Sequence, residues 1–183
     1  MIQWIIFTAV SIVLVTISWR SLINPRSHGF HRFFAWECIL GLFLINAEFW
    51  FYKPLAWNQI IAWFLLIVCL FPLVFGVRAL RTRGRPAKQR EADPTLLGFE
   101  KTTTLVTSGI YKYIRHPLYS SLLLLAWGIF FKSPSLPGLA LASISTLFLV
   151  FTAKADEDEC IRFFGTQYVE YMKNTKMFVP YVL

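Results

Sequence analysis

Charge is what this chain has least of. Only 15% of its 183 residues are Asp, Glu, Lys or Arg, against about a quarter in a soluble domain. The shortage is uneven. No charged residue precedes Arg20. A secretory leader opens on basic residues, and this run is as long as a membrane span. It therefore reads as a retained first transmembrane helix. Acidic residues are scarcer than basic ones, 10 against 18, for a net charge of +8. The basic residues lie between apolar blocks, which is the pattern of membrane-protein loops and argues against a nucleic-acid partner. There are three cysteines, Cys38, Cys69 and Cys160. Their number is odd and no pair has metal-ligand spacing, so buried structural thiols are expected and no metal site. There is no internal repeat and no low-complexity segment.

What is present is apolar bulk: 56% of residues are hydrophobic and 17% aromatic. It falls in blocks. The expected fold is one all-α integral membrane domain over residues 1–183 with about five spans. These cover 2–19, 33–52, 57–77, 117–132 and 136–153. The second holds Glu37, Asn46 and Glu48, with each carboxylate near a span end where it can reach water. Pro72 is placed to kink the third. The fourth is short; its apolar part, Leu118 to Phe131, makes about 21 Å of helix. Lys132-Ser133-Pro134-Ser135 then turns the chain into the fifth, so the last two spans form a helical hairpin. Loops 20–32 and 78–115 are basic, the latter through Arg78, Arg81, Arg83, Arg85, Lys88 and Arg90. The loops near 53 and 132 carry one Lys each. Positive charge marks the cytoplasmic side, so the N-terminus is expected outside and the C-terminus in the cytoplasm.

One stretch concentrates chemistry. Residues 109–121 read GIYKYIRHPLYSS. Pro117 suits the first position of a helix, since its φ is already set and its missing N–H is no loss. His116 then takes the N-cap position. Unpaired N–H groups at that helix start, with Arg115 and Lys112 beside them, would favour an anion. Downstream, residues 155–173 look like a cytoplasmic amphipathic helix. Glu157, Cys160, Ile161, Phe164, Tyr168 and Tyr171 share a face by the i, i+3, i+4 rule, with Gly165 as a possible end or bend. Glu157 on that face needs a partner, and Lys112, Arg115 or a cationic ligand could supply it. Asp156, Asp158 and Glu159 read more simply as a solvated acidic run.

The RHPLY run at 115–119 resembles the RHPxYxG signature of the isoprenylcysteine carboxyl methyltransferase and phospholipid methyltransferase superfamily, in its bacterial-type integral-membrane form. The acidic run followed by FGTQY, within ADEDECIRFFGTQYVEY at 155–171, resembles that family's second motif. The two lie in the right order and spacing over roughly the C-terminal 80 residues. The resemblance implies methyl transfer from S-adenosylmethionine to a lipid-like or small acceptor at the cytoplasmic face. It implies Arg115 and Glu157 in catalysis or orientation. It implies Tyr113, His116, Pro117, Tyr119, Ser121 and Glu157 around the cofactor, with Glu157 facing its pocket. Ser121 stands where the family has glycine. No Gly-rich loop between strand and helix is visible, so the pocket is expected between helix ends. Two other readings stay open: a sterol-reductase-type oxidoreductase using a nicotinamide cofactor, and a non-enzymatic scaffold. The acceptor and the oligomeric state are not legible.

Overall fold

The computed structural model describes residues 2–84 and 102–180. Arg85, Pro86, Lys88 and Arg90 of the basic segment lie outside these. Among the described residues there are seven α-helices and no strand beyond an isolated bridge between Ile114 and Lys176.

The first helix, α1 (Ile2–Leu22), lies against α2 (His28–Asn46) and exposes most of its length. Their apolar contact is pinned by one polar one, Ser11 Oγ donating to Glu37 at 2.7 Å. Ser27 starts α2 as a true cap, its hydroxyl accepting from Phe30 N. A single 3-10 turn at Ala47–Phe49 ends it, so the helical run begins five residues ahead of the expected span.

The expected third span is two helices, α3 (Trp57–Val68) and α4 (Leu70–Arg83). Pro72 has no N–H for the Val68 carbonyl and its ring crowds that group, so the chain breaks at Cys69 rather than bending at Pro72 itself. The short α5 (Pro117–Phe130) packs against α2, α3, α4 and α6. A Cβ at Gly128 would meet Leu66 at 2.9 Å, so glycine there sets how closely α5 approaches α3.

The largest departure is α6 (Leu136–Phe164). The expected span and the acidic helix after it form one continuous helix of 29 residues, about 43 Å long. Ala153, Lys154 and Ala155 are good helix formers, so nothing stops it at the end of the apolar stretch. Gly165 stops it, with φ +63° and ψ −138°. The chain then enters α7 (Thr166–Lys173).

Four helical segments are long and apolar enough to cross a membrane: Ile2–Leu22, His28–Phe49, Trp57–Arg83 and Leu136–Phe164. Pro117–Phe130, the other member of the expected hairpin, is shorter. Its 14 residues make about 21 Å against a hydrocarbon core of about 30 Å.

The bundle has two polar ends. At one, Lys132 departs from the expected loop charge. It is 1% exposed. Its Nζ donates to Gln59 Oε1 at 3.0 Å and the Trp50 carbonyl at 3.3 Å, and lies 3.4 Å from the centre of the Trp63 ring. At the other end, α2, α5 and α6 meet around Ala35, Tyr119, Leu149, Ala153 and Phe178. Residues after α7 fold back along the RHP stretch. Arg115 N donates to Lys176 O at 2.8 Å and His116 N to Met177 O at 3.1 Å.

Candidate active site

That returning segment determines what His116 does. His116 occupies the N-cap position of α5 and Pro117 the first helical one, and the His116 carbonyl accepts from Ser120 N at 2.9 Å. The imidazole does not cap the helix. With its backbone N–H tied to Met177, the ring is turned toward α6. There Nε2 lies 3.2 Å from Glu157 Oε1 and Nδ1 lies 3.4 Å from Asp156 Oδ2. Tyr119, one turn inside α5, stacks on the ring at 5.4 Å and donates its hydroxyl to Asp156 Oδ2 at 3.3 Å.

Arg115 fastens the same knot from the other side. Its Nε donates to Glu157 Oε1 at 2.7 Å, and its Nη1 donates to the carbonyls of Met172 and Thr175. Glu157 thus joins Arg115 and His116. Burial alone would lower the His116 pKa, but the hydrogen bonds and charges of Asp156 and Glu157 outweigh it and hold it above its ordinary value. Burial alone would raise both carboxyls. Instead His116, with His28 and Tyr119 for Asp156 and Arg115 for Glu157, holds them below the ordinary range. These are ionic partners held together, not free acids and bases.

A cleft opens beside this cluster. Its walls come from Tyr111, Arg115, His116, Pro117 and Tyr119, from Asp156, Cys160 and Phe164 of α6, from Tyr168 and Tyr171 of α7, and from Leu80 of α4. Tyr171 is fixed by donating to the Tyr111 carbonyl at 2.6 Å. The free space is about 90 Å³.

The expected site residues do not all reach this cleft. Glu157 does not line the cleft; it sits behind the wall, consumed by Arg115 and His116. Asp156, read as part of a solvated run, is the carboxylate that faces the opening. Adjacent helical residues point about 100° apart, so only one of the two could do so. A signal for Asp156 was there: 156, 160, 164 and 168 form an i, i+4 row, and all four line the cleft. Tyr113 is 46% exposed, lies off the cleft and has Lys112 Nζ 6.0 Å from its ring centre. Ser121 is buried and donates to its own helix, at Leu118 O, 2.7 Å away. Neither Tyr113 nor Ser121 lines the cleft.

Glu159 is likewise not solvated. Its carboxylate accepts from both the backbone N–H (2.9 Å) and Nδ1 (2.7 Å) of His28, tying the start of α2 to α6. His28, Asp156 and Glu159 offer ligand atoms within 4.8 Å of one another, a spacing that could hold a metal ion. In this arrangement His28 Nδ1 and the Glu159 carboxylate are already paired with each other.

A phospholipid methyltransferase family profile matches residues 91–167, which cover the RHPLY run and the second motif as far as Gln167. The methanethiol S-methyltransferase of Pseudomonas deceptionensis is 27% identical over 94% of this chain, which covers 56% of that protein. Protein-S-isoprenylcysteine O-methyltransferase B of Arabidopsis thaliana is 27% identical over 96% of the chain and 87% of its own length. A Delta(14)-sterol reductase of Mus musculus is 26% identical over 75% of the chain but only 35% of its own length. The chain thus spans little more than half of the first of these relatives. No solved structure matches it. A profile over residues 91–167, and methyltransferases aligned along nearly the full chain, support placing this protein in the phospholipid and isoprenylcysteine methyltransferase superfamily.

Proposed function

We propose that the chain transfers a methyl group from S-adenosylmethionine to a lipid-like or small acceptor. The observation that carries this reading is the Arg115–Glu157–His116–Asp156 cluster, closing an aromatic cleft between helix ends at the basic end of an apolar bundle. The residue types suit the cofactor. Asp156 presents a carboxylate to the cleft. Tyr111, Phe164, Tyr168 and Tyr171 offer aromatic walls.

When bound, S-adenosylmethionine supplies an already activated sulfonium methyl, so the protein's work is to hold, orient and exclude water. In this proposal His116, Pro117, Tyr119 and Asp156 form the cofactor wall. Arg115 and Glu157 lock His116 and the chain around 172–177 in place. The free space is well under the ~300 Å³ that small-molecule sites usually occupy, so binding requires the walls to part. Thr102 and the short α7 border the opening.

The acceptor would enter from the bilayer beside α5 and the cofactor from water. We infer that this water is cytoplasmic. Arg81 and Arg83 end α4, whose Leu80 lines the cleft, and Arg20, Arg26 and Arg32 lie in the chain on either side of His28, which pairs with Glu159 of α6, in keeping with positive charge on the inner side. An oxygen, sulfur or nitrogen acceptor fits this reading. The oxidoreductase alternative is favoured only by the partial sterol reductase match.

Calorimetry on detergent-purified protein tests the choice. S-adenosylhomocysteine should bind and NADPH should not. Folded protein that binds NADPH alone would overturn the proposal. His116→Ala should weaken S-adenosylhomocysteine at least tenfold without loss of expression.

A further inference from the structure

Nearly every polar group in the cleft wall is already engaged. Arg115 serves three acceptors, and both His116 nitrogens face carboxylates. The Tyr119 hydroxyl donates to Asp156 and the Tyr171 hydroxyl to the Tyr111 carbonyl. Two groups stand apart. Asp156 Oδ2 is taken, but Oδ1 has only the weak thiol donor of Cys160, at 3.7 Å. The Tyr168 hydroxyl makes no hydrogen bond among the described residues, although Tyr168 is 4% exposed. It lines the cleft, and its oxygen is not sealed from open space.

A buried hydroxyl without a partner costs roughly 1–3 kcal/mol, and one kept at the edge of a cleft gains its partner when a ligand enters. Burial first, then the nearby Cys160, Asp156, Glu157 and Tyr171, keep this phenol neutral and able to donate. The i, i+4, i+4, i+4 row from Asp156 to Tyr168 brings the two free groups to one wall despite the break at Gly165.

We propose that Tyr168 and Asp156 Oδ1 are a donor–acceptor pair that binds the nucleoside part of the methyl donor, through a ribose hydroxyl or the adenine edge. Such groups present both a donor and an acceptor over a short span. Tyr168 is then a ligand-contact residue, and it has no other hydrogen-bonding task in the fold. This rests on the methyltransferase reading above.

Tyr168→Phe tests it, with Tyr171→Phe as contrast. Tyr171→Phe removes the hydroxyl that donates to the Tyr111 carbonyl and should lower the melting temperature of the unliganded protein. Tyr168→Phe should leave that temperature unchanged or raise it, while weakening S-adenosylhomocysteine about three- to tenfold, one neutral hydrogen bond's worth. If wild type binds S-adenosylhomocysteine and Tyr168→Phe binds it equally well, this inference is wrong and the methyltransferase reading stands. The inference also falls if Tyr168→Phe destabilises the unliganded protein as much as Tyr171→Phe does. If wild type itself does not bind, both fall together.

Discussion

His116 is held between two carboxylates, and that has a sign in pH. Its pKa is raised in the fold by Asp156 and Glu157 against the opposing effect of burial. A raised value means its stabilisation is complete below the ordinary imidazole pKa of about 6.5 and is lost as pH climbs through the raised value. Asp156 and Glu157 are depressed, so their share is present above the ordinary carboxylate range and is lost as pH falls through the depressed values. Thermal stability should therefore be greatest between about pH 4.5 and 6.5 as far as this cluster is concerned. His116→Gln keeps hydrogen-bonding capacity but not charge. Its melting temperature should fall furthest below wild type near pH 6, with the gap narrowing toward pH 9 in scanning fluorimetry. A gap that does not change with pH would mean His116 is not charged in the fold. Arg115→Lys should also destabilise, because a single ammonium cannot reach Glu157 and two carbonyls from one fork.

Helices decide where these residues can meet. Gly165 separates α6 from α7 in a backbone conformation that an L side chain resists. A Cβ there would touch nothing within 4 Å, so Gly165→Ala isolates the backbone cost. It should cost about 1–2 kcal/mol of stability. Because α7 carries Tyr168 and Tyr171, it should also weaken cofactor binding, and isothermal titration beside thermal unfolding separates the two effects. Gly128 acts through contact instead. Gly128→Leu should disrupt the α3–α5 packing, since even a Cβ sits 2.9 Å from Leu66. A lowered yield of folded monodisperse protein in detergent would show it.

The whole bundle places its buried charges at opposite ends. At the end away from the cleft, Lys132 joins the α5–α6 turn to Trp50 and to Gln59 and Trp63 of α3. Burial pushes this ammonium down to about 8. A lysine depressed in the fold binds fewer protons folded than unfolded between that value and the ordinary 10.4 or so. Its contribution to stability therefore rises with pH across that window. The stability difference between wild type and Lys132→Met should widen from pH 8 to pH 10. Lys132→Met should lower the melting temperature at neutral pH as well, because Gln59 Oε1 loses its donor. Sidedness is also a property of the whole chain. A C-terminal reporter should be active on the cytoplasmic side, and activity only on the outer side would reverse the inferred orientation.

Membership of a membrane-embedded helical class was already determined by the sequence alone. Apolar blocks, Gly165 and Pro117 act locally, through burial, backbone freedom and fixed φ, and local causes can be read from local residues. The RHPLY stretch announced a site for the same reason, since a proline-started helix after a basic and an imidazole side chain is a local pattern. Tertiary structure decided which groups that site contains. Asp156 and Glu157 are neighbours in the chain, and choosing between them needed the rotation of α6 against α5. His116 turns from capping to ion pairing because residues 176–177 return to hold its backbone. Tyr113 and Ser121 flank the RHPLY run but line no part of the cleft, and Lys132 looked like loop charge until two tryptophans enclosed it. Helical period tells which residues share a face. What that face meets depends on contacts between residues scores of positions apart, so the cleft in RHPLY's neighbourhood exists only once the chain has folded back on it.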